Sequence, residues 1–449
     1  MITVSRTARL VLLSAFSAFA GGALVASVSR ADKRDLSPHA AIEQLARVLV
    51  IVENRYVDPV DRGKLLSGAI KGMVGELDPH SEYFSPKEFA EFSGETQGKF
   101  GGVGLEVEAG AEYLTVVSPI EGGPAEAAGI KAGDQIIAID GQDAHGLTLE
   151  KAVTKMRGDP GTKVELTLRR ASEARIFRAP LVRAEIHVPS VEAWPLPSQV
   201  VYLRLRQFQE KTRDELLDQL AKVRGKLGGP IAGVVLDMRR NPGGLVDQAA
   251  GVADEFMDSG VIFSTRGQTK DSIGETRASS GGALTTVPTV VLVDEGSASA
   301  AELVAGALQD SKRATIVGQP TFGKGSVQTI LELPDGAGLK LTTARYYTPS
   351  GRAIQAQGIQ PDVVVEPSRA TAPAAPFLKE KDLAGALPPE LPSAADAGAP
   401  DAAPSAPTPY AATDGGAGST IPSKAPDLDK DYQLKMGFQI VTGVLMNKK

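Results

Sequence analysis

Between residues 184 and 368, short apolar runs alternate with longer segments in which apolar residues recur every three or four positions. The short runs are typical of buried strands, and the longer segments are typical of helices with one face on a core. We predict strands at 200–205, 233–236 and 287–293, and helices at 212–223, 246–257 and 303–308. This alternation favours right-handed βαβ units, in which functional sites lie beyond the carboxyl ends of the strands.

The region 38–95 has the pattern of a helical hairpin. Apolar residues are spaced as in a helix at 38–57 and again at 65–77, and an Asp-Pro turn follows each segment. Two short helices cannot bury their apolar faces by themselves. We therefore expect them to pack on the core or on a second copy of the chain, and we expect a homo-oligomer.

The segment 1–30 has the charge pattern of a targeting sequence. Arg6 and Arg9 precede an uncharged run at 10–29, which Arg30 closes. Such a run is either a cleaved signal peptide or a single membrane anchor, and its length fits both. In either case we expect an exported protein of the periplasm or cell envelope. A retained segment would anchor it to the inner membrane through residues 10–29.

Residues 96–182 predict a small β-rich domain, because glycine-rich turns separate short alternating segments. A loop, Gly102-Val-Gly-Leu105, comes directly before a predicted strand, and a helix is predicted at 147–156. In the order of its elements the segment resembles a PDZ domain, and the loop matches the carboxylate-binding loop of that family. The resemblance implies that the terminal carboxylate of a peptide is held by backbone N–H groups of Gly102, Val103, Gly104 and Leu105, while the peptide adds as a strand.

The C-terminal part changes composition twice. Residues 369–424 are rich in Pro, Ala, Gly and Ser, which predicts a disordered linker. Residues 425–449 then show the apolar spacing of an amphipathic helix. Such a helix must dock on the core or on a second subunit, and the pattern does not distinguish the two.

Composition limits the available chemistry. The 449-residue chain has no cysteine, which excludes thiol catalysis, disulfides and thiolate metal sites. Its net charge of −6 argues against nucleic acid as the main partner. The segment Gly318–Gly325 departs from the phosphate-binding pattern GxxxxGK[ST], because Gly325 has no hydroxyl for magnesium. We therefore expect neither a cofactor nor a metal.

Two segments of the predicted core carry reactive side chains, and the first follows the strand predicted at 287–293. Ser299 precedes a helix, whose unpaired N–H groups and dipole favour a developing negative charge. Lys324 comes 25 residues later in a glycine-flanked turn, and all four histidines lie outside both segments. A buried lysine can act as a base because burial disfavours its charged form. In a following strand, the period of two would place Lys324, Ser326 and Gln328 on one face. This pattern predicts a serine nucleophile, a lysine base and an amide that orients the lysine.

The turn Asn241-Pro-Gly-Gly244 also follows a predicted strand. Gly243 and Gly244 can present a bare backbone N–H to an oxyanion, beside the N–H of Ala300. A plain turn before a helix is the alternative interpretation of this motif taken alone.

Seven motifs together resemble the carboxyl-terminal processing proteases, also called tail-specific proteases. They lie in that family's order between about residues 38 and 366: Tyr56-Val-Asp-Pro59, Leu77-Asp-Pro-His-Ser81, Phe100-Gly-Gly-Val-Gly104, Arg239-Arg-Asn-Pro-Gly-Gly244, Gly296-Ser-Ala-Ser-Ala-Ala-Glu302, Phe322-Gly-Lys-Gly-Ser-Val-Gln328 and Gly358-Ile-Gln-Pro-Asp362.

The resemblance implies an α/β protease core at 184–368 (a ClpP/crotonase-like βαβ sheet), with the PDZ domain inserted before it. It also implies a serine endopeptidase that cleaves proteins near their accessible C-termini. By motif position Ser299 is the nucleophile, Lys324 the base and Gln328 its orienting partner. Asp310 matches an acid sometimes counted in the family's site, although a surface residue at a helix end is equally plausible. The alternative from another class is a catalytically silent scaffold that binds protein tails through its PDZ domain.

Overall fold

The computed structural model describes residues 37–110, 112–120, 122–368, 378–388 and 425–447. Within these residues no helix is both long and apolar enough to cross a membrane. The signal peptide or anchor predicted for residues 1–30 lies outside the described residues.

Both predicted N-terminal helices are present. Helix α1 spans Pro38–Arg55 and begins at Ser37, whose hydroxyl accepts a hydrogen bond from the Ala40 N–H. Helix α2 spans Arg62–Gly75, and Arg62 pairs with Glu53 of α1. No residue of α1 is buried, and the apolar stripe that predicted this helix is exposed at Ile42 and Leu45 and half-buried at Leu49 and Val52. Strand β1 (Glu82–Phe84) and helix α3 (Pro86–Thr96) follow.

The β-rich region forms a sheet with its own core. Strand β2 (Lys99–Gly102) comes first, and β3 (Leu105–Glu108) and β4 (Leu114–Pro119) follow. The remaining elements are α4 (Pro124–Ala127), β5 (Gln135–Ile139), β6 (Gln142–Asp143), α5 (Leu149–Met156), β7 (Lys163–Arg170) and β8 (Arg175–Val182). The strand order β3-β4-β5-β7-β8 leaves β3 at an edge. Strand β2 instead pairs with β9 (Ala184–His187), which leads into the next region.

The predicted α/β core is built on one six-stranded sheet. Its strands, in spatial order, are β10 (Val191–Leu196), β11 (Val200–Leu205), β12 (Gly233–Asp237), β15 (Thr289–Val293), β16 (Ala314–Gly318) and β19 (Val363–Val364). The pairs from β11 to β19 are parallel, as the βαβ pattern predicted.

The two faces of this sheet pack against different helices. Alternate residues of a strand point to opposite faces, so Leu203 of β11 lies in the cluster formed with three helices, whereas Tyr202 lies in a separate cluster on the other side. The three helices are α6 (Thr212–Leu227), α7 (Val246–Phe256) and α8 (Ala300–Asp310). Burial on both faces explains why the core strands are almost uniformly apolar.

A second sheet follows the order β1-β18-β13-β14, and β17 also pairs with β18. The strands not yet defined are β13 (Val261–Gly267), β14 (Gly274–Arg277), β17 (Ser326–Glu332) and β18 (Gly338–Tyr347). Strand β17 begins directly after the glycine-flanked turn with Lys324, so this sheet fixes the end of that turn.

The C-terminal helix docks on the core of its own chain. Helix α9 spans Tyr432–Asn447, and its buried Leu434 and Val441 pack with Val235 and Leu292 of the parallel sheet. An ion pair reinforces the contact, because Arg239 lies 2.6 Å from Asp431. The amphipathic pattern left two docking surfaces open, the core and a second subunit, and in this structure the helix packs on the core.

The linker prediction is wrong for residues 378–388. They pack against the core, and Glu380 within them is fully buried. This segment is ordered despite its composition because polar side chains of the core, such as His80 and Gln355, bind Glu380. The rest of the predicted linker lies outside the described residues.

Candidate active site

Three loops meet at one edge of the parallel sheet. Strands β12, β15 and β16 are parallel neighbours, with Asp237 beside Leu292 and Leu292 beside Val317. Their carboxyl ends therefore share an edge, from which the chain enters the turn 238–244, the loop 294–299 and the loop 319–325. These loops carry the glycines, the serine and the lysine that the motifs singled out.

Ser299 is held in an unusual backbone conformation at the N-terminus of α8. Its φ is +54° and its ψ is −117°, a region that costs a residue with a side chain about 1–3 kcal/mol. Its side chain is only slightly accessible, at 9%. The preceding Ala298 N–H donates to Asn241 O at 2.9 Å, and the Ser297 hydroxyl donates to Met238 O at 2.8 Å. The turn 238–241 therefore supports this loop, and Ser297 has a structural contact.

Glu302 joins the serine loop to the lysine loop. Its Oε2 accepts hydrogen bonds from the N–H groups of Ser299 at 2.8 Å and Lys324 at 2.9 Å. Its Oε1 accepts one from Gly323 N–H at 2.8 Å and another from the Thr321 hydroxyl. Burial raises the pKa of Glu302 to about 7, and these four donors act in the opposite direction. Glu302 was not among the site residues predicted from the motifs, although its spacing from Ser299 is that of a capping box, S-x-x-E.

Lys324 lies in the loop before β17 rather than within the strand. Burial lowers its pKa to about 8, and the charge of Lys340 acts in the same direction. Glu380, Asp78 and Glu302 oppose the decrease. An amine with this pKa is neutral in a useful fraction of molecules near neutral pH. In the part of the chain that the structure describes, Ser299 Oγ and Lys324 Nζ are not hydrogen-bonded to each other.

Gln328 is near the lysine loop but binds other groups. Its amide N–H donates to Ser326 Oγ at 2.9 Å and to Thr342 Oγ1 at 3.3 Å. A bulge between Val327 and Gln328 interrupts the regular period of β17. Among described residues Gln328 has no hydrogen bond to Lys324, so its place in the site rests on the motif alone.

The glycine turn lies directly against the serine. A Cβ built on Gly243 would lie 2.9 Å from both Ser299 Cβ and the Ala300 nitrogen. Gly243 has φ +100° and Gly244 has φ +130°, which favours glycine at both positions. The Gly243 N–H donates to Asn241 Oδ1 at 2.9 Å, so in this structure it is already engaged.

Asp310 ends the helix that Ser299 begins. Asp310 lies eleven residue steps from Ser299 along α8, about 16 Å at 1.5 Å per residue. The Asp310 carboxylate accepts hydrogen bonds from Ser350 N–H and from Arg352. The structure therefore does not bring Asp310 to Ser299, and its visible contacts hold the turn 348–352.

In the glycine loop 102–105 of the β-rich region, two backbone N–H groups donate to no described residue. The carbonyls of Val103 and Gly104 accept hydrogen bonds from Ala125 and Ile120 N–H groups. The N–H groups of Val103 and Gly104 donate to no described residue, and Gly104 has φ +71°. The loop thus has a fixed shape with free donors beside the edge strand β3.

Three family profiles match this chain. The profile described as peptidase family S41 matches residues 199–365, and a PDZ domain profile matches residues 115–170. A profile described as the N-terminal domain of the activating protease CtpB matches residues 14–87.

Curated relatives match most of the chain. The carboxy-terminal-processing protease of Bartonella bacilliformis is 45% identical over 328 residues, covering 72% of this chain and 75% of the relative. The carboxy-terminal processing protease CtpA of Bacillus subtilis is 37% identical over 325 residues, covering 72% of this chain and 69% of the relative. Among solved structures, a photosystem II D1 C-terminal processing protease is 32% identical, with a TM-score of 0.43 over 72% of this chain and 93% of that chain.

These similarities extend over the PDZ domain and the α/β core, and they confirm the resemblance inferred from the seven motifs. The chain belongs to peptidase family S41 and is a serine-type peptidase related to the carboxy-terminal processing proteases.

Proposed function

We propose that this peptidase cleaves proteins near their C-termini with Ser299 as nucleophile and Lys324 as general base. The observation that carries the proposal is the position of Glu302, whose Oε2 binds the backbone on which each of these residues sits. A shared anchor keeps the two loops in register without requiring the side chains to touch in the free enzyme. Catalytic hydrogen bonds often tighten only when substrate binds.

In the proposed mechanism the neutral amine of Lys324 accepts the proton of Ser299 Oγ as the oxygen attacks the scissile carbonyl. The lysine then donates this proton to the leaving amine, and an acyl-enzyme remains on Ser299. A water deprotonated by Lys324 attacks the acyl group, the bond from the acyl carbon to Ser299 Oγ breaks, and Lys324 returns the proton to Ser299 Oγ as the new C-terminus leaves. Gln328 is assigned the task of orienting the lysine once the amine moves toward the serine.

The oxyanion of each tetrahedral intermediate is assigned to backbone N–H groups of the glycine turn and of Ala300. Ala300 is the first residue of α8, where the helix dipole also favours negative charge. The Gly244 N–H donates to no described residue and is available. The Gly243 N–H would have to exchange its bond to Asn241, so the absence of a side chain at Gly243 is its more direct contribution.

Tail selection is assigned to the PDZ loop. The free N–H groups of Val103 and Gly104, flanked by Gly102 and Leu105, would bind the terminal carboxylate of a substrate. The peptide would then extend β3, whose outer edge is unpaired among the described strands. Leu105 and Val153 are partly buried on the domain core and offer an apolar surface beside this path.

Export and assembly complete the proposal. The charge pattern of residues 1–30 supports delivery to the periplasm or cell envelope, with an inner-membrane anchor if the segment is retained. The exposed apolar residues of α1, such as Ile42 and Ile51, support packing against a second copy. Light scattering of residues 31–449, compared with an Ile42→Glu/Ile51→Glu variant, tests the assembly.

The catalytic proposal is tested with purified residues 31–449 and an unfolded protein such as casein. Wild type is expected to cleave it, whereas Ser299→Ala and Lys324→Ala are expected to lose activity and keep their folded circular dichroism spectrum. Lys324→Arg should also fail, because a guanidinium does not give up its proton. Lys222→Ala, at an exposed lysine of α6, is the matched control. Cleavage at the wild-type rate by Lys324→Ala would remove the lysine from the mechanism. Absence of cleavage with intact peptide binding would favour the scaffold alternative.

A further inference from the structure

Residues 378–388, here called the strap, lie across the loop that carries Lys324. The strap is held at both ends by the core. Near its start, Lys379 Nζ donates to Pro320 O at 3.2 Å. At its end, Arg345 Nε donates to Pro388 O at 3.2 Å. Arg345 pairs in register with Ser326, two residues after Lys324. The strap therefore spans the lysine loop from its beginning to its end.

Glu380 of the strap places a carboxyl group in the protein interior. Its side chain is fully buried, and it contacts His80 Nε2 and Gln355 Nε2, each at 2.8 Å. Burying a carboxyl group without partners is costly. The strap must therefore be docked for this pair of contacts to exist, and the contacts fix its position.

Two sets of hydrogen bonds extend from Glu380 to the backbone on either side of Lys324. Before the lysine, the Glu380 N–H donates to Phe322 O at 3.2 Å. After it, the Gly325 N–H donates to Oε1 of Gln355 at 2.9 Å, and the same amide donates to Glu380. Gln355 is fully buried and also donates to Leu387 O of the strap at 3.1 Å.

We propose that Glu380 is a positioning residue for Lys324, acting through Gln355 and through its own backbone N–H. The strap then belongs to the catalytic apparatus although it lies outside the stretch matched by the peptidase profile, which ends at residue 365. This inference rests on the proposed role of Lys324 as the base. It adds a residue that touches neither substrate nor the reacting atoms.

The charges around Lys324 give the proposal a second readout. The charges of Lys340 of β18, Glu380 of the strap, Asp78 after α2 and Glu302 of α8 all act on Lys324, and His80 contacts Glu380. The Glu380 carboxylate raises the pKa of Lys324, against the larger effect of burial. Removing that charge while keeping the loop in place should therefore lower the pKa of the lysine.

The experiment compares variants that separate shape from charge in the full chain. Glu380→Gln keeps the contact with Gln355 and removes the charge, whereas Glu380→Asp keeps the charge and is one methylene too short. Glu380→Ala loses both. Lys381→Ala, at the adjacent exposed residue of the strap, is the matched control. Casein cleavage gives kcat and KM, and thermal unfolding verifies that each variant is folded.

Misplacing a catalytic group by a fraction of an ångström to an ångström costs roughly ten- to a hundredfold in rate. We expect Glu380→Ala and Glu380→Asp to lose kcat by that factor, with KM within about threefold of wild type. Glu380→Gln should recover kcat to within about threefold of wild type, and Lys381→Ala should match wild type. Gln355→Ala should lose as much as Glu380→Ala, and the double variant should lose no more than either. Wild-type kcat in folded Glu380→Asp, or losses that multiply in the double variant, would overturn the proposal.

A measurement that does not need activity keeps the two proposals distinguishable. Competitive acetylation of Lys324 across pH, read by mass spectrometry, gives the pKa of the amine directly. In Glu380→Gln the midpoint should move to lower pH than in wild type. An unchanged midpoint contradicts the effect of the Glu380 charge on the lysine even if the enzyme is active. Cleavage that is independent of Lys324, with a shifted midpoint, contradicts the dyad and leaves the effect of Glu380 on Lys324 standing.

Discussion

The backbone N–H of Lys324 donates a hydrogen bond to the Glu302 carboxylate at 2.9 Å, and this bond connects the lysine loop to helix α8. The same oxygen binds Ser299 N–H at 2.8 Å. A buried carboxylate that accepts four hydrogen bonds holds its donors in fixed positions, because each donor would be left unsatisfied if the carboxylate moved. The relative position of the proposed nucleophile and base therefore depends on a third residue.

Glu302→Ala is expected to destabilise the protein by about 3 kcal/mol or more, because several buried donors lose their acceptor at about 1–3 kcal/mol each. Activity should fall at least a hundredfold in whatever fraction remains folded. Guanidinium unfolding and casein cleavage measure the two effects. Glu332→Ala, at an exposed glutamate of β17, should change neither. Wild-type activity in Glu302→Ala would show that the hydrogen bonds of the Glu302 carboxylate are not needed to position Ser299 and Lys324.

The rate should depend on the protonation of Lys324. Because the base must be neutral, kcat/KM is expected to rise with pH and to level off above the pKa of Lys324, which burial lowers to about 8. At pH 6 the amine is almost entirely protonated, so the rate should fall about tenfold for each pH unit below the midpoint. The charge of Lys340 lowers the pKa of Lys324, so Lys340→Met should move the midpoint of the pH–rate profile to higher pH. A midpoint that does not change in Lys340→Met would argue against Lys324 as the titrating base.

Gly243 and Gly281 provide a matched pair of glycines. Both have φ +100°, so alanine at either position carries a similar backbone strain. A Cβ at Gly243 would lie 2.9 Å from Ser299 Cβ, whereas a Cβ at Gly281 meets nothing within 4 Å. Gly243→Ala is expected to reduce kcat at least a hundredfold, and Gly281→Ala to cost only about 1 kcal/mol of stability. Equal activity in the two variants would contradict a role for close packing at Ser299.

Tail recognition predicts a difference between acid and amide peptides. Amidation removes the terminal charge while keeping length and side chains, and charge-assisted hydrogen bonds contribute about 1.5–3 kcal/mol. Binding to the Ser299→Ala protein should therefore weaken about ten- to a hundredfold on amidation, measured by fluorescence anisotropy. A peptide whose apolar last residue becomes Asp should weaken similarly, because a charge would face the surface near Leu105 and Val153. Equal affinities for acid and amide would refute the carboxylate assignment.

Docking of α9 can be tested with two glycines on the same helix. A Cβ on Gly437 would lie 2.9 Å from Leu292 Cδ2, whereas a Cβ on Gly443 would meet nothing within 4 Å. Leucine favours helix over glycine by roughly 0.5–1 kcal/mol. Gly443→Leu should therefore be neutral or stabilising, and Gly437→Leu should lower the unfolding free energy by about 1–3 kcal/mol by separating helix from sheet. If Gly437→Leu unfolds at the same guanidinium concentration as Gly443→Leu, α9 does not dock as described.

The local patterns of this sequence were sufficient to predict several of its helices and strands. Apolar runs such as 233–236 must be strands buried on two faces, and the spacing at 246–257 must be a helix, because hydrophobic burial has a different period in each. The motifs around Ser299 and Lys324 were equally visible, since each is a contiguous segment rich in small residues. These features depend on neighbours along the chain.

Contacts between residues far apart in the chain could be learned only from the tertiary structure. Glu302 has the spacing of a capping box with Ser299, but its bonds to Gly323 and Lys324 come from the order of parallel strands. The strap was predicted as linker because it lies in a segment with few large apolar residues, and polar contacts with distant parts of the core hold it, among them those of Glu380 with His80 and Gln355. An amphipathic pattern predicts that a helix such as α9 has an apolar face, but it does not predict which surface packs against that face. Burial and hydrogen bonding across hundreds of residues are properties of the folded chain, so no local pattern encodes them directly.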